Sequence, residues 1–164
     1  MLAAGDPAPD VTARNQHGDP APDVTARNQH GDPVAPAFAE PTVLYFYPED
    51  GTPGCTTEAQ QFERERDAYA DAGVTVYGVS TDSVESHRAF AEAEDIGFDL
   101  LADPDGEVAD AFGVDRTAPA DSAPRTTFVL ESGTVHRVYT GVSPDGHARD
   151  VLLDLLDDQI VSLD

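Results

Sequence analysis

Cys55 is the only cysteine among the 164 residues, and it lies where a buried strand gives way to a helix. The apolar, β-branched run Val43–Tyr47 is typical of a strand buried on both faces, and Pro48 ends it because proline cannot donate to a sheet ladder. Two turn dipeptides, Asp50-Gly51 and Pro53-Gly54, then lead into a charged helical segment. The thiol is therefore expected near the free N–H groups of a helix N-terminus, which favour a thiolate.

A lone cysteine also has a simpler interpretation, as a small hydrophobic residue of the core. The neighbours of Cys55 are Pro, Gly, Thr and Glu, whereas a core cysteine usually has apolar neighbours. No Cys-x-x-Cys pair exists for a dithiol oxidoreductase, and no histidine can be placed as the base of a cysteine hydrolase. The five histidines show no metal-ligand spacing, so we expect neither a metal site nor a cofactor. From the residues alone, a reactive thiol and a core cysteine both remain open.

The pattern Pro48-x-x-x-Thr52-x-x-Cys55 resembles the active-site signature of the peroxiredoxins. The full segment 48–58 most resembles the bacterioferritin-comigratory-protein (PrxQ) branch, and the likeness continues in order through residues 78–83, 100–106 and 125–128. It extends over residues 18–160, so it does not depend on one short motif. The resemblance implies a thioredoxin-like fold and a thiol-dependent peroxidase that reduces hydrogen peroxide and organic hydroperoxides.

The resemblance also implies roles for the residues around the cysteine. Cys55 would attack the peroxide as a thiolate, Thr52 would place its hydroxyl beside the sulfur, and Pro48 would shape the loop. Backbone N–H groups around Gly54 and Cys55 would stabilise negative charge on the departing oxygen, and we therefore expect Gly54 to contact the substrate. The turn-rich sequence between strand and helix is compatible with all of these roles.

Arg125 is the expected partner from a distant part of the chain. On composition alone, an isolated arginine before a strand is a surface charge. The segment Arg125-Thr-Thr-Phe128 resembles the family's Arg-x-Thr-Phe segment, which supplies a guanidinium beside the thiolate. A permanent cation there would stabilise the ionised sulfur and donate to the peroxide. Glu58 would either orient Arg125 at the substrate site or be a carboxylate on the helix surface.

The chain departs from much of this branch at Gln60, where many members carry a resolving cysteine five residues after the peroxidatic one. After attack, Cys55 would become a sulfenic acid that an outside thiol must resolve, a one-cysteine mechanism. A thioredoxin-like protein, a small thiol or Cys55 of a second chain would serve, so monomer and homodimer both stay open. The missing cysteine also supports an alternative, a non-enzymatic peroxide-sensing switch or binding module on the same fold.

Apolar periodicity predicts an α/β fold with a mixed central sheet flanked by helices and an N-terminal β-hairpin extension. Strands are expected over residues 43–47, 74–79, 98–102, 126–130 and 135–140, and helices over 56–71, 83–95, 107–113 and 144–160. Three details follow from the side chains. The first helix should bury Ala59, Phe62, Arg66, Tyr69 and Ala70. Asp82, paired with Glu85, or else Ser83 should cap the second helix, and Ser143-Pro144 should begin the last.

The N-terminus carries a tandem repeat, because residues 5–17 recur letter for letter as residues 18–30. Two copies of thirteen residues are too short and too few for a solenoid. The second copy leads directly into the rest of the fold, where it would form the hairpin with a turn at Asn28–Gly31. We therefore expect residues 1–17 to be a surplus, poorly ordered segment and residues 18–164 to form a single domain.

The charge of the chain is extreme, with 32 acidic residues against 9 basic ones, all arginine, for a formal net charge of −23. Such a surface repels nucleic-acid phosphates and anionic membranes, so neither is an expected partner. Periodic apolar segments argue against disorder, and we expect a folded protein adapted to the saline cytoplasm of a halophile. No signal peptide or apolar run long enough to span a bilayer is evident, and one cysteine suits a reducing cytoplasm.

Overall fold

A computed structural model describes residues 26–34, 41–112, 114, 125–131 and 134–157 of the chain. The described elements are the strands β1 (Ala26–Arg27), β2 (Pro33–Val34), β3 (Thr42–Phe46), β4 (Thr75–Ser80), β5 (Asp99–Ala102), β6 (Thr126–Glu131) and β7 (Thr134–Thr140), and the helices α1 (Pro53–Arg64), α2 (Arg66–Asp71), α3 (Val84–Glu94), α4 (Glu107–Ala111) and α5 (His147–Asp157).

Strand β3 lies in the interior of the sheet, as its unbroken apolar sequence predicts, and all five of its residues are buried. It pairs in parallel with β4 on one side and antiparallel with β6 on the other. The strand order is β2-β1-β5-β4-β3-β6-β7, a mixed sheet of seven strands. The fold is thioredoxin-like, as expected.

The two faces of the sheet carry separate hydrophobic clusters, because successive side chains of a strand point to opposite faces. Val43 and Tyr45 belong to the cluster that α1, α2, α3 and α5 cover, and that cluster includes Cys55. Leu44 and Phe46 belong to the cluster beneath α4. Within the described residues, no helix is long and apolar enough to cross a bilayer.

The expected hairpin is present in the second copy of the repeat, where β1 pairs antiparallel with β2 and docks on the edge of β5. The buried Gln29 anchors it: its Nε2 donates to the Phe98 carbonyl at 2.9 Å, and its Oε1 accepts from the Leu100 N–H at 2.9 Å. The first copy of the repeat, residues 5–17, lies outside the described residues, as does the end of the predicted last helix at Ile160.

The single helix predicted over residues 56–71 is wrong in two respects. The structure has two helices, because the first ends at Arg64 and Glu65 separates it from α2. Ala59, Phe62 and Tyr69 are buried as predicted, but Arg66 and Ala70 are exposed. The break at Glu65 changes the direction in which the following side chains point. A prediction that continues one helical periodicity across the break therefore assigns Arg66 and Ala70 to the buried face incorrectly.

One predicted helix start is confirmed and another is wrong. Ser83, one of the two expected caps, caps α3, with its Oγ accepting from the Ser86 N–H at 3.1 Å, whereas the Asp82 carboxylate accepts from Ser80 and Asp50. The last helix begins at His147 and not at Pro144. Gly146 adopts a positive φ of 83° immediately before it, which stops the helix from extending further towards the N-terminus.

Candidate active site

Cys55 occupies the third position of α1, because the helix begins at Pro53 and not at Thr56 as predicted. Thr52 is the N-cap: its Oγ1 accepts from the Cys55 N–H at 3.4 Å, and its carbonyl accepts from the Thr56 N–H at 2.9 Å. Pro53 begins the helix, where the missing N–H of proline costs nothing. Before the turn that leads to α1, the Tyr47 N–H donates to the Val79 carbonyl at 3.0 Å. The hydrogen bonds between this strand and β4 end there, because the next residue, Pro48, has no N–H to donate.

Strand pairing brings Arg125 to the cysteine. The β3–β6 register sets Phe46 opposite Thr126, so the residue before Thr126 lies where β3 ends and the loop to Cys55 begins. Arg125 Nη2 donates to Cys55 Sγ at 3.3 Å, and Nη1 donates to Glu58 Oε1 at 3.0 Å. A permanent cation in contact with the sulfur stabilises the thiolate over the thiol.

The two interpretations of a lone cysteine turn out to be compatible. Cys55 is 1% exposed and belongs to a hydrophobic cluster, as a core cysteine would. Its sulfur nevertheless has a charged donor, the guanidinium of Arg125, whose side chain is 19% exposed. The thiol is therefore buried beside a cation, the setting in which an ionised sulfur is favoured.

Gly54 has a steric role that is not evident from the sequence. A Cβ built on Gly54 would lie 2.6 Å from Arg125 Nη2, closer than real Cβ contacts allow. The absence of a side chain at this position lets the guanidinium reach Cys55. Because Gly54 is the second helical residue, its own N–H also points out of the helix end.

Glu58 is buried, so the surface alternative for this carboxylate does not hold. Its side chain is 1% exposed, Oε1 accepts from Arg125, and the buried Oε2 has no hydrogen-bond partner among the described residues. Burial raises the pKa of Glu58 from 4.5 to about 7, although the Arg125 charge opposes the shift. The Tyr45 hydroxyl is also buried without a partner in the described structure, and burial together with the charges of Glu58 and Cys55 raises its pKa.

A second group of polar side chains supports the loop before Cys55. Asp50 accepts from the Tyr47 hydroxyl at 2.6 Å and from the Ser86 hydroxyl at 2.9 Å, and its Oδ2 lies 2.7 Å from His87 Nδ1. The Asp50 N–H donates to Asp82 Oδ2 at 2.8 Å. The loop is thereby tied to β3 and to the start of α3.

Sequence reasoning missed this group. In the sequence, Asp50 has the features of a turn residue and His87 is one of five scattered histidines. The only available signal was that His87 lies on the buried face of α3 with Phe90.

Asp50, Asp82 and His87 offer ligand atoms that lie within 4.8 Å of one another, the one group of this kind within the described part of the chain. These atoms already form hydrogen bonds with one another and with neighbouring residues. Ser80 Oγ donates to Asp82 Oδ2 at 2.6 Å, and His87 Nε2 donates to the Leu101 carbonyl at 3.0 Å. The donor set therefore forms a hydrogen-bonded network that ties the loop before Cys55 to the start of α3.

Comparison with known proteins decides the family. The model of the AhpC/TSA family matches residues 4–138. The chain belongs to the AhpC/TSA family. The putative peroxiredoxin bcp of Coxiella burnetii (strain RSA 493 / Nine Mile phase I) is 40% identical over 116 residues, which are 67% of this chain and 77% of that protein.

Solved structures agree. Peroxidoxin BcpB from Mycobacterium tuberculosis gives a TM-score of 0.80 at 32% identity, covering 96% of this chain and 98% of that one. A structure of Xanthomonas campestris bacterioferritin comigratory protein, from work on its alkyl peroxide reduction activity, gives 0.76 at 32% identity, covering 82% and 90%. The chain is a peroxiredoxin, and the activity of this class is that of a thiol-dependent peroxidase.

In this peroxiredoxin, the structure brings together five of the six residues named from the sequence. Thr52, Gly54, Glu58 and Arg125 surround Cys55 through the contacts given above. Pro48 is the exception, since it ends β3 without a described contact to the sulfur.

Proposed function

We propose that Cys55 is the peroxidatic cysteine. Its thiolate attacks one oxygen of the peroxide, the O–O bond breaks, and the other oxygen leaves as an alkoxide or hydroxide that takes up a proton. Sulfur is oxidised to the sulfenic acid, and the peroxide is reduced to an alcohol or water. The observation that carries this proposal is the 3.3 Å contact between Arg125 Nη2 and Cys55 Sγ.

The neighbouring residues receive matching roles. Arg125 stabilises the thiolate and then the departing oxygen, and the backbone N–H groups of Gly54 and Cys55 donate to the same charge. Thr52 holds the start of the helix and presents its hydroxyl beside the sulfur, while Pro48 fixes the turn out of β3. Glu58 orients Arg125 through the 3.0 Å contact with Nη1.

The reductant is an external thiol. The sequence has one cysteine, and Gln60 stands five residues after it, on the exposed side of α1 with its Nε2 donating to Glu94. A thiol of a thioredoxin-like protein or a small thiol attacks the sulfenic acid, displaces water and forms a mixed disulfide with Cys55. A second thiol then attacks this disulfide and releases Cys55 as a thiolate. Resolution by Cys55 of a second copy would require a homodimer, and the monomer needs only the outside thiol.

Hydrogen peroxide and organic hydroperoxides are the proposed substrates, in keeping with the alkyl peroxide reduction described for the Xanthomonas campestris relative. The test is peroxide consumption in the presence of excess dithiothreitol. The wild type should consume many equivalents per chain, and Cys55→Ser should consume none. Undiminished consumption by Cys55→Ser would remove Cys55 from the mechanism.

The absence of a resolving cysteine supports a second candidate function, a peroxide-sensing switch on the same fold. A sensor would consume about one equivalent of peroxide and then stop even when dithiothreitol is in excess, whereas a peroxidase would continue. A sulfenic-acid trapping reagent, followed by identification of the thiol that releases Cys55, would name the reductant or the signalling partner.

We propose further that residues 1–17 are surplus to the domain formed by residues 18–164. The hairpin segment Ala26–Val34 occurs twice with one difference, since the corresponding segment 13–21 ends in Ala21. Val34 packs against the cluster beneath α4, which favours the second copy in this position. Deletion of residues 5–17 should leave the melting temperature and the peroxidase activity unchanged, and a loss of either would contradict the assignment.

The charge of the chain supports a halophilic, cytoplasmic setting for this peroxiredoxin. Excess acidic charge keeps a surface hydrated and soluble in concentrated salt, and a reduced single cysteine suits a reducing compartment. Fractionation of the source cells would test the location directly.

A further inference from the structure

His87 is completely buried, and both of its ring nitrogens face acceptors. Nε2 donates to the Leu101 carbonyl at 3.0 Å, and a carbonyl can only accept. Nδ1 lies 2.7 Å from Asp50 Oδ2, in a carboxylate that also accepts from two hydroxyls. Because both ring nitrogens face oxygen acceptors, the ring can donate in both contacts only when each nitrogen carries a hydrogen. The geometry is that of a buried imidazolium–carboxylate pair.

The other buried histidine of the described structure shows what burial does without a carboxylate partner. His147 has a hydroxyl partner, with Nε2 at 2.8 Å from Thr127 Oγ1. Burial lowers its pKa to about 4 despite the nearby charges of Asp150 and Asp154. His147 thus illustrates the cost of charging a buried ring that has no carboxylate partner.

We propose that protonated His87 is the counter-ion that cancels the negative charge of Asp50 in the loop before Cys55, and that it thereby acts as a positioning residue for the thiolate. The proposal rests on the proposed role of Cys55 as the nucleophile. Without the imidazolium, a buried carboxylate five residues from the cysteine would oppose the ionisation of the sulfur.

Packed aromatic rings connect the Asp50–His87 pair with the region of Cys55. The Tyr47 hydroxyl donates to Asp50 at 2.6 Å, and the centroid of its ring lies 5.5 Å from that of Tyr45 in the hydrophobic cluster that includes Cys55. The charged or titratable groups that face His87 among the described residues are Asp50 from the loop and Tyr47 immediately after β3, with Asp82 bonded to the Asp50 N–H. From β5, His87 meets the neutral Leu101 carbonyl. Asp50 is thus the negative group that the ring neutralises.

Three variants separate charge from packing: His87→Gln, Asp50→Asn, and the two combined. The readout is the pH midpoint at which the ultraviolet absorbance of the Cys55 thiolate appears, which can be measured without peroxide turnover. His87→Gln should move this midpoint upwards by about one pH unit, a tenfold loss of thiolate at a given pH. Asp50→Asn should not raise it, and the double variant should return close to the wild type because no uncompensated charge remains.

Ser86→Ala is the matched control, since it removes a hydroxyl donor to Asp50 without changing any charge. It should leave the midpoint within a few tenths of a pH unit of the wild type. A double variant whose midpoint is at least as high as that of His87→Gln would overturn the proposal, because it would show that packing and not charge is at work.

A second measurement decides the matter if His87→Gln does not fold. The nitrogen chemical shifts of the His87 ring in the wild-type protein distinguish imidazolium from neutral imidazole at neutral pH. An imidazolium supports the proposal, and a neutral ring overturns it. Failure of Cys55→Ser to abolish peroxide consumption would instead contradict the proposed nucleophile, so the two hypotheses fail by different experiments.

Discussion

One guanidinium serves two acidic groups in this site. Arg125 directs Nη2 to the Cys55 sulfur and Nη1 to the buried Glu58 carboxylate. When Glu58 is ionised, the positive charge of Arg125 interacts with both the Glu58 carboxylate and the Cys55 sulfur. When Glu58 is protonated, the full charge of Arg125 is available to the thiolate, so the two ionisations oppose one another.

Arg125→Ala should slow peroxide reduction by about a hundredfold, the usual effect of removing one donor to a developing oxyanion. The thiolate absorbance of Cys55 should also appear at higher pH. Arg149→Ala is the control, because Arg149 is a 68% exposed arginine with a surface ion pair to Glu65. Equal rates in the two variants would exclude Arg125 from the mechanism.

Gly54→Ala should reproduce the effect of Arg125→Ala on peroxide reduction, because the added Cβ displaces Nη2 from the sulfur. Gly54 is helical, so alanine itself suits the backbone and should not lower the melting temperature. A double-mutant cycle tests the cause: in the Arg125→Ala background, Gly54→Ala should have little further effect. Additive losses would indicate that Gly54 acts independently of Arg125.

The raised pKa of Glu58 predicts a pH-dependent stability. The pKa is about 7 in the folded chain against an ordinary 4.5, so the folded state binds more protons between these values. The free energy of unfolding contributed by Glu58 is therefore greatest below about pH 4.5 and is lost as the pH rises through about 7, a change on the order of 3 kcal/mol.

Glu58→Gln removes this titration. Relative to the wild type, the variant should gain stability as the pH rises from about 4.5 to about 7, measured by denaturant unfolding at a series of pH values. Glu92→Gln, at an exposed position of α3, should follow the wild-type pH profile. Identical profiles for Glu58→Gln and the wild type would contradict the raised pKa.

At the residue scale, the sequence identified the cysteine and the residues that the structure places around it, because a short motif and a distant arginine carry that information. It did not identify Asp50 and His87. Their significance depends on burial and on two contacts across 37 and 14 residues of chain, which no local pattern encodes. The close approach of Gly54 and Arg125 was likewise invisible until β3 and β6 were paired.

The hairpin of β1 and β2 is the element whose assignment is most open to experiment, since its sequence occurs twice. Gln29→Ala should lower the free energy of unfolding by about 1–3 kcal/mol, because it leaves the Phe98 carbonyl and the Leu100 N–H without their partner. Gln16→Ala makes the same change in the first copy and should have no effect.

The combined variant Gln16→Ala and Gln29→Ala reveals any exchange between copies. If the second copy alone occupies the sheet edge, the combination should be no less stable than Gln29→Ala. A further loss would show that the first copy can replace the second, and a loss in Gln16→Ala alone would contradict the assignment of residues 1–17 as surplus.

At the element scale, every strand expected between residues 43 and 140 exists, because apolar runs and β-branched residues define them locally. Helix boundaries were less predictable. No proline or glycine in the sequence marks the interruption between α1 and α2 at Glu65. The Ser143-Pro144 pair, in contrast, is typical of a helix start, although no helix begins there. The chain instead continues to Gly146, whose N–H donates to Gln61 Oε1 at 2.6 Å, a contact with α1 that only the tertiary structure supplies.

For the whole molecule, the dominant property is the net charge of −23, which acts against compactness in dilute solution. The melting temperature should rise steeply between dilute buffer and molar potassium chloride, since the screening length falls to about 3 Å at 1 M. Sucrose at matched osmolality is the control, because it does not screen charge. Equal melting temperatures in dilute and concentrated salt would contradict adaptation to a saline interior.

The distance between Cys55 and Arg125 along the chain, 70 residues, has a consequence for biosynthesis. A growing polypeptide leaves the ribosome with its cysteine long before the arginine has been translated. Until β6 has been completed and aligned with β3, the sulfur lacks its cation and is a poor target for oxidants. Whatever reactivity Arg125 confers on Cys55 is therefore acquired only once the sheet has assembled.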